Sequence, residues 1–318
     1  PSYYIDQATG KHWLGILFAV FMILTYMVGF NLVASFNIAD AFRVIPAYSQ
    51  NENLAKWIIG GVLAVLFFVC ISGGGKQIAG ITEKIVPFMG FFYIAVAVFV
   101  IVTHITLLPG VFAEIFRNAF DVKAIFGGFT GSAVMLGIKR GLFSNEAGMG
   151  TTPHAHAVAK VEHPAEQGLV AIFGVFTTVL IVTFTVLVIL VTGVMDFDTT
   201  GIELTQKAYS VGLGGAGVGF VAICLFFFAY STIIGWYFFS EQNVRYLFHG
   251  RGIFVYRLIV CAFLVLGAVT HVNLVWTLSD FFNGIMVIPN VIALLLLHKV
   301  VGSSLNDFEN KLKKAGLN

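Results

Sequence analysis

Charge is what this chain of 318 residues has least of. Asp, Glu, Lys and Arg make up 11% of it while hydrophobic residues reach 58%, against about 25% charged in a soluble domain. That shortage excludes a water-soluble globular domain and points to an integral membrane protein. The basic residues are scattered between apolar runs and the net charge is only +2, so there is no basic stripe and no nucleic-acid partner is expected. Cysteine is scarce too: Cys70, Cys224 and Cys261 all lie inside apolar runs without CxxC spacing and read as packing residues. No HExxH motif occurs. No cleavable signal peptide is visible, and a start at Pro1 without Met reads as a fragment. No long polar linker divides the chain, so one transmembrane domain is expected over 1–300, with 301–318 as a cytoplasmic C-terminal tail.

What fills the chain instead is a series of eight apolar runs, at 13–35, 57–72, 85–108, 124–138, 168–194, 208–240, 258–270 and 272–297. Most reach the roughly 20 residues a helix needs to cross a bilayer. The 57–72 and 258–270 runs must borrow flanking residues such as Leu54 and Tyr256, and 124–138 is short because a broken segment completes it. Gly73, Gly74 and Gly75 are expected to end the second span, Pro87 to sit in the first turn of the third, and Pro289 to kink the eighth. The 208–240 run opens with Gly212, Gly214, Gly215, Gly217 and Gly219, and reads as one long tilted helix with close neighbours. With Pro1 on the cytoplasmic side and Lys139 and Arg140 left aside as intramembrane, eleven Lys and Arg face inward and only Arg43, Lys56, Arg117, Lys123 and Lys207 face outward, which favours this orientation by the positive-inside rule. The acidic loop of Asp196, Asp198 and Glu203 then faces out.

The stretch 141–157, GLFSNEAGMGTTPHAHA, is polar and broken by glycine where the chain is otherwise apolar. Irregular backbone at membrane depth is tolerated only where it lines a cavity or packs on protein, and broken helices of this kind hold ions and substrates in transporters. Gly141, Gly148 and Gly150 can free carbonyls and amides from helical pairing, Ser144 and Asn145 add side-chain oxygens, and a half-helix starting near Ala147 would aim its positive end at the break. Glu146 is costly to bury. It can pair with Lys139 or Arg140, or cap the half-helix, and it is not assigned as the cation ligand. Ser231 and Thr232 are adjacent hydroxyls in an apolar helix; alone they read as bonded back to the preceding turn, and beside a broken helix they suit a hard cation such as sodium. Trp236 follows Gly235, whose missing side chain leaves space beside the indole, so Trp236 is expected to line a pocket and Tyr237 to pack. His154 and His156 stand two apart and do not share a helix face, which argues against a metal site; with His163 they are expected at headgroup level. His104 and Asp280 are lone polar residues within spans, Asp280 being the better functional candidate.

The run from Gly141 to Gly150, Ala155-His156-Ala157, His163-Pro164 and Gln167-Gly168-Leu169 closely resemble the alanine or glycine:cation symporter family. Thr82-Glu83-Lys84-Ile85-Val86-Pro87-Phe88-Met89, Tyr3-Tyr4-Ile5, and Ser231-Thr232 with Gly235-Trp236 add to the likeness. The resemblance implies an all-α integral membrane protein with a leucine-transporter-like inverted-repeat fold, of which about eight transmembrane helices, core helices 3 to 10, are present. The broken helix of the first repeat would precede Pro1, making the chain N-terminally truncated. It also implies a secondary transporter, not an enzyme: sodium-coupled symport of a small neutral amino acid by alternating access, in a monomer spanning the plasma membrane of a prokaryote. Asn31, Gly141, Ser144, Asn145 and Trp236 are then the substrate candidates, and Ser231 and Thr232 the sodium ligands. One departure stands out. Where the family tends to carry Gly-Asn and then Gln, this chain has Phe30-Asn31 followed by Val33-Ala34-Ser35-Phe36, a bulkier and less polar wall. The competing readings are a membrane-embedded metalloenzyme using Glu146, His154 and His156, and a proton-coupled transporter, channel or receptor on the same fold.

Overall fold

The computed structural model describes residues 1–45, 48, 50–119, 130–196 and 198–316. Lys123, residues 124–129 of the expected fourth run, and residues 317–318 of the tail lie outside the described residues. Among those described, all regular structure is helical. Six helical stretches are long and apolar enough to cross a membrane: His12–Val44, Glu52–Ser72, Gly74–Thr103, Pro164–Thr192, Ala216–Phe248 and Val272–Lys314. The eight runs thus become six crossing-length helices, one apolar helix of 17 residues at Ile253–Val269, and one broken pair.

Helix α1 (Ser2–Thr9) precedes the first span, which is built from α2 (His12–Leu24), a π-helical segment (Thr25–Phe30) and α3 (Asn31–Ala41). The π segment forms where two features clamp it to a neighbour. The Thr25 hydroxyl donates to Phe21 O in its own helix (2.7 Å) and to Phe282 O across the interface (3.0 Å). Gly29 lets the backbones touch, since a Cβ there would lie 3.0 Å from Ser279 Cα. Wide turns of this type recur at functional sites.

Helix α4 (Glu52–Ser72) starts on the Asn51 side chain, which accepts from Leu54 N (3.2 Å), and ends at Gly73 as expected. Helix α5 (Gly74–Thr103) begins at once after a turn with Gly74 at φ 70°. Pro87 therefore sits in the interior of α5 and not in its first turn. The strong helix formers Lys76, Gln77, Ala79, Glu83 and Lys84 extend the helix through polar sequence that an apolar run does not mark. After α6 (Leu108–Ala119), α7 (Thr130–Ser144) and α8 (Thr152–His156) come α9 (Pro164–Thr192), α10 (Gly201–Leu213), α11 (Ala216–Phe248), α12 (Ile253–Val269) and α13 (Val272–Lys314). The expected single tilted helix over 208–240 is two helices, because Gly214 at φ 62° turns the chain between α10 and α11. At that corner Gly212 packs on α5, where a Cβ would fall 2.6 Å from Val100 Cγ2. The kink expected at Pro289 does not interrupt α13, which runs unbroken for 43 residues, about 65 Å at 1.5 Å per residue.

Among the described residues four apolar clusters hold the bundle, the smallest being Leu32, Val33 and Val275 between α3 and α13. One joins α3, α4, α11 and α12 around Phe67, Tyr237 and Leu264. A second joins α5, α9, α10 and α11 around Tyr93, Val188 and Tyr209. The third gathers Phe18, Met22, Tyr26, Phe30 and Met286 from α2, the π segment and α13 around Met149 of the broken segment. Helix α11 shares in the first two and reaches the third through Trp236, so it stands at the centre and the break packs against it.

Candidate functional site

Between α7 and α8 the chain leaves helical geometry over 145–151. Glu146, Gly148 and Gly150 take φ of 51°, 75° and 76°, a region open to glycine and strained for glutamate. Helix α13 holds this geometry. Asn290 donates through Nδ2 to Gly148 O (2.8 Å), and its Oδ1 accepts the Tyr4 hydroxyl of α1. A Cβ on Gly150 would lie 2.8 Å from Asn290 Oδ1 and 3.0 Å from Phe18 Cζ, so the backbone approaches its neighbours more closely than any side chain allows. The break starts later than expected. Gly141 lies within α7, and its carbonyl accepts from both Asn145 N (3.1 Å) and Asn145 Nδ2 (3.0 Å), so it is not freed for a ligand. The inner half-helix likewise begins at Thr152 and not near Ala147.

Ser144, Asn145 and Glu146 line a cavity of about 380 Å³ with Thr152 and His156, closed on the far side by α9 through Val170, Gly174 and Thr178. Asn145 Oδ1 is buried there without a hydrogen-bond partner among the described residues. Thr178 also borders a second cavity of about 460 Å³ lined by Tyr93, Thr185, Thr205, Phe228 and Thr232. The broken segment and the hydroxyl helix therefore open onto the same threonine. Ser231 and Thr232 donate to one carbonyl, Phe228 O, at 3.0 and 2.7 Å, leaving their oxygen lone pairs free.

Trp236 points its indole N–H at Glu146 Oε1 (3.4 Å), while the Thr151 hydroxyl meets Oε2. A Cβ at Gly235 would meet nothing within 4 Å beyond its chain neighbours, and Trp236 lines neither cavity. The indole lies 4.9 Å from the Phe30 ring and 5.8 Å from that of Tyr26, and Phe30 reaches on to Phe143 at 4.8 Å. Phe30, where the sequence predicts a bulkier and less polar wall, is aromatic and only 1% exposed. Asn31 follows it, fully buried with Oδ1 unpartnered among the described residues, and lines neither cavity.

Glu146 does not pair with Lys139 or Arg140. Both go to Asp280 on α13: Arg140 in a fork at 3.0 and 2.8 Å, and Lys139 at 2.6 Å. Arg140 also lies over the Trp276 ring at 4.4 Å. A planar guanidinium satisfies a carboxylate with two parallel bonds, which α7 and α13 present and the break cannot. The histidines also fall differently. His154 is buried, its Nδ1–H donating to Thr151 O (3.1 Å) and its Nε2 accepting from Asn243 Nδ2 (3.0 Å), and His163 is buried against Asp307 and Phe308. Only His156, bonded to Gln167 Oε1 at 2.6 Å, is partly exposed. Among the described residues no three metal-ligating groups converge. Thr151, Tyr26 and Asn290 were not singled out in the sequence. Asn290 carries a signal, an amide directly after a proline in an apolar run, and Thr151 carries one in lying within the polar stretch 141–157; Tyr26 carries none.

The sequence profile described as the sodium:alanine symporter family matches residues 1–318. Among curated relatives, the probable sodium/glutamine symporter GlnT of Bacillus subtilis is 43% identical over 319 residues, covering 99% of this chain and 65% of that protein. The sodium/alanine symporter AgcS of Methanococcus maripaludis is 38% identical over 322 residues, 99% of this chain and 70% of that protein. The sodium/proton-dependent alanine carrier protein of Bacillus sp. (strain PS3) is 40% identical over 296 residues, 86% of this chain and 66% of that protein. The chain thus spans about two thirds of the length of the curated relatives it matches.

Proposed function

The chain belongs to the sodium:alanine symporter family, and from that premise we propose that its protein carries a small neutral amino acid with sodium across a prokaryotic plasma membrane. The family is one of symporters and not of enzymes, which removes the metalloenzyme reading. The protein is a multi-pass monomer with a leucine-transporter-like inverted-repeat fold, in which 130–156 is the broken helix of one repeat and α11 the helix that supplies hydroxyls to sodium.

The observation that carries this reading is the shared wall at Thr178, which brings the cavity of Ser144 and Asn145 beside that of Thr232. A substrate in the first can accept from Ser144 and give an ammonium proton to the unpartnered Asn145 Oδ1. Sodium takes the oxygens of Ser231 and Thr232, whose own protons are already committed to Phe228 O. Trp236, packed on Phe30, backs the Glu146 that lines the first cavity. The half-helices α7 and α8 are tied to different partners, Asp280 and Asn243 respectively, so each can release while the other holds, as alternating access requires. Sodium favours the state that binds substrate, and each ligand raises the other's affinity equally.

The test is uptake of labelled alanine, glycine and glutamine by the complete protein in proteoliposomes, with and without a sodium gradient. Accumulation driven by sodium is expected. A receptor or channel on the same fold would bind or leak without accumulating, and uptake indifferent to the sodium gradient would end the coupling claim.

A further inference from the structure

We propose that Glu146 takes up and releases a proton during the transport cycle, so that a proton moves with the amino acid as well as sodium; this rests on the transport reading above and deepens it.

Glu146 is a partly buried carboxylate that lines a cavity within the bundle and pairs with no cation among the described residues. The nearest basic residues in sequence, Lys139 and Arg140, are both spent on Asp280. The chain accepts a positive φ at this residue to put the carboxyl where it is. Its surroundings are uncharged: Trp236 from α11, and Val170, Ala171, Gly174, Val175 and Thr178 from α9. Two titratable groups approach it. The Tyr26 hydroxyl, close enough to feel its charge, has no hydrogen-bond partner among the described residues. His156 lines the same cavity; His154, which bridges Thr151 O and Asn243, does not. An ion so placed is costly in a membrane, and its single negative charge has no counter-cation among the described residues.

The donor pattern selects the neutralising ion. Sodium would need several oxygens turned toward it, whereas Oε1 is met by an indole N–H that can only donate. Oε2 is met by the Thr151 hydroxyl, which can turn from donor to acceptor. A proton therefore fits where a metal ion does not. Uptake forms an O–H bond at Oε2 with a proton from water on one side, giving a neutral carboxyl whose hydrogen Thr151 accepts. Release to water on the other side restores the carboxylate. Water has a route: the Glu146 cavity shares Thr152, His156 and Ala171 with a second of about 530 Å³ that extends to Ala159 and Pro164, at the start of α9.

The complete protein in proteoliposomes, with equal sodium on both sides, tests this. An acid-outside gradient of one pH unit should raise amino-acid accumulation by up to about tenfold if one proton accompanies each substrate. The ratio of accumulation with and without that gradient should fall to one in Glu146→Gln and stay above one in Glu146→Asp. A carbodiimide, which attacks only the protonated carboxyl, should label Glu146 in the unmutated protein, and more so as pH falls. Three results would each overturn the proposal: no response of the unmutated protein to the proton gradient, an undiminished response in Glu146→Gln, or no label on Glu146 at any pH. Sodium-driven uptake measured on the same vesicles separates these failures from failure of the transport reading. If Glu146→Gln does not fold, the label and the gradient response of the unmutated protein decide.

Discussion

At the scale of single residues, the site is a set of polar atoms whose partners come from distant parts of the chain. Trp236→Phe keeps an aromatic ring against Phe30 but leaves Glu146 Oε1 without its donor. The expected loss is up to about 3 kcal/mol, the contribution of a hydrogen bond to a charged group, read as a lower unfolding temperature in detergent together with weakened substrate binding. Unchanged stability would show the indole contact to be incidental. Arg140 and Asp280 give a cleaner test because the fork joins residues 140 apart in sequence. Arg140→Gln and Asp280→Asn should each destabilise, and the double variant should cost less than their sum by about 0.5–3 kcal/mol. Additive costs in a double-mutant cycle would mean that the pair holds nothing. Residue types alone marked Ser144, Asn145, Trp236 and Asp280 as candidates. They could not assign the partners, because a carboxylate at 146 and one at 280 compete for the same two cations, and only the packing of α7 on α13 decides between them. Gly141 misled for a local reason: a glycine before a break looks like the break, but the Asn145 side chain closes the turn over its carbonyl.

At the scale of elements, apolar runs located nearly every helix and misplaced several ends. Helix α5 begins eleven residues before its run and α13 ends well past its own, since polar helix formers extend a helix into the headgroup region without any apolar period. The glycines of 212–219 read as packing; Gly214 proved to be a corner because φ cannot be read from a residue that permits every φ. The same distinction gives a paired prediction. Gly137→Ala, in the interior of α7 with nothing within 4 Å of the added methyl, should stabilise by up to about 1 kcal/mol. Gly150→Ala meets both a positive φ and the Asn290 and Phe18 contacts, and should destabilise by more than about 1 kcal/mol. Thermal unfolding of the two variants side by side checks the break, and equal effects would deny it. The loop before α10 adds a pH dependence. The Thr199 hydroxyl and amide, with Asp198 N, hold Asp196 below the usual carboxylate range. A depressed folded value contributes stability that is present above the unfolded value, about 3.9, and is lost as pH falls through the folded one. Protection of the Thr199 amide, corrected for intrinsic exchange, should therefore hold from pH 7 to 5 and decline only below about 4.

At the scale of the whole molecule, α11 stands where three of the four apolar clusters meet, so the sodium site proposed at Ser231 and Thr232 would depend on the packing of the whole bundle and not on two hydroxyls alone. A ligand that binds the native state and not the unfolded chain stabilises it by about 2.7 kcal/mol at a hundred times its dissociation constant. The complete protein should therefore unfold at a higher temperature in sodium than in an equal concentration of choline, with the shift growing logarithmically once the site is saturated. Ser231→Ala with Thr232→Val is a suitable probe because it disturbs little else. Both hydroxyl protons lie on Phe228 O, a carbonyl within α11, so their removal strands no buried donor or acceptor elsewhere. The double variant should thus match the unmutated protein in choline and lose most of the sodium-dependent rise. Cross-checking with Glu146→Gln separates the two ions: that variant should keep the sodium shift, since the carboxyl contacts Trp236 and Thr151 and neither hydroxyl of the sodium pair. If Ser231→Ala with Thr232→Val retains the full shift, sodium binds elsewhere in the bundle. Should Glu146→Gln abolish the shift instead, the carboxyl itself is the sodium ligand and the division of labour between helix break and hydroxyl helix is reversed.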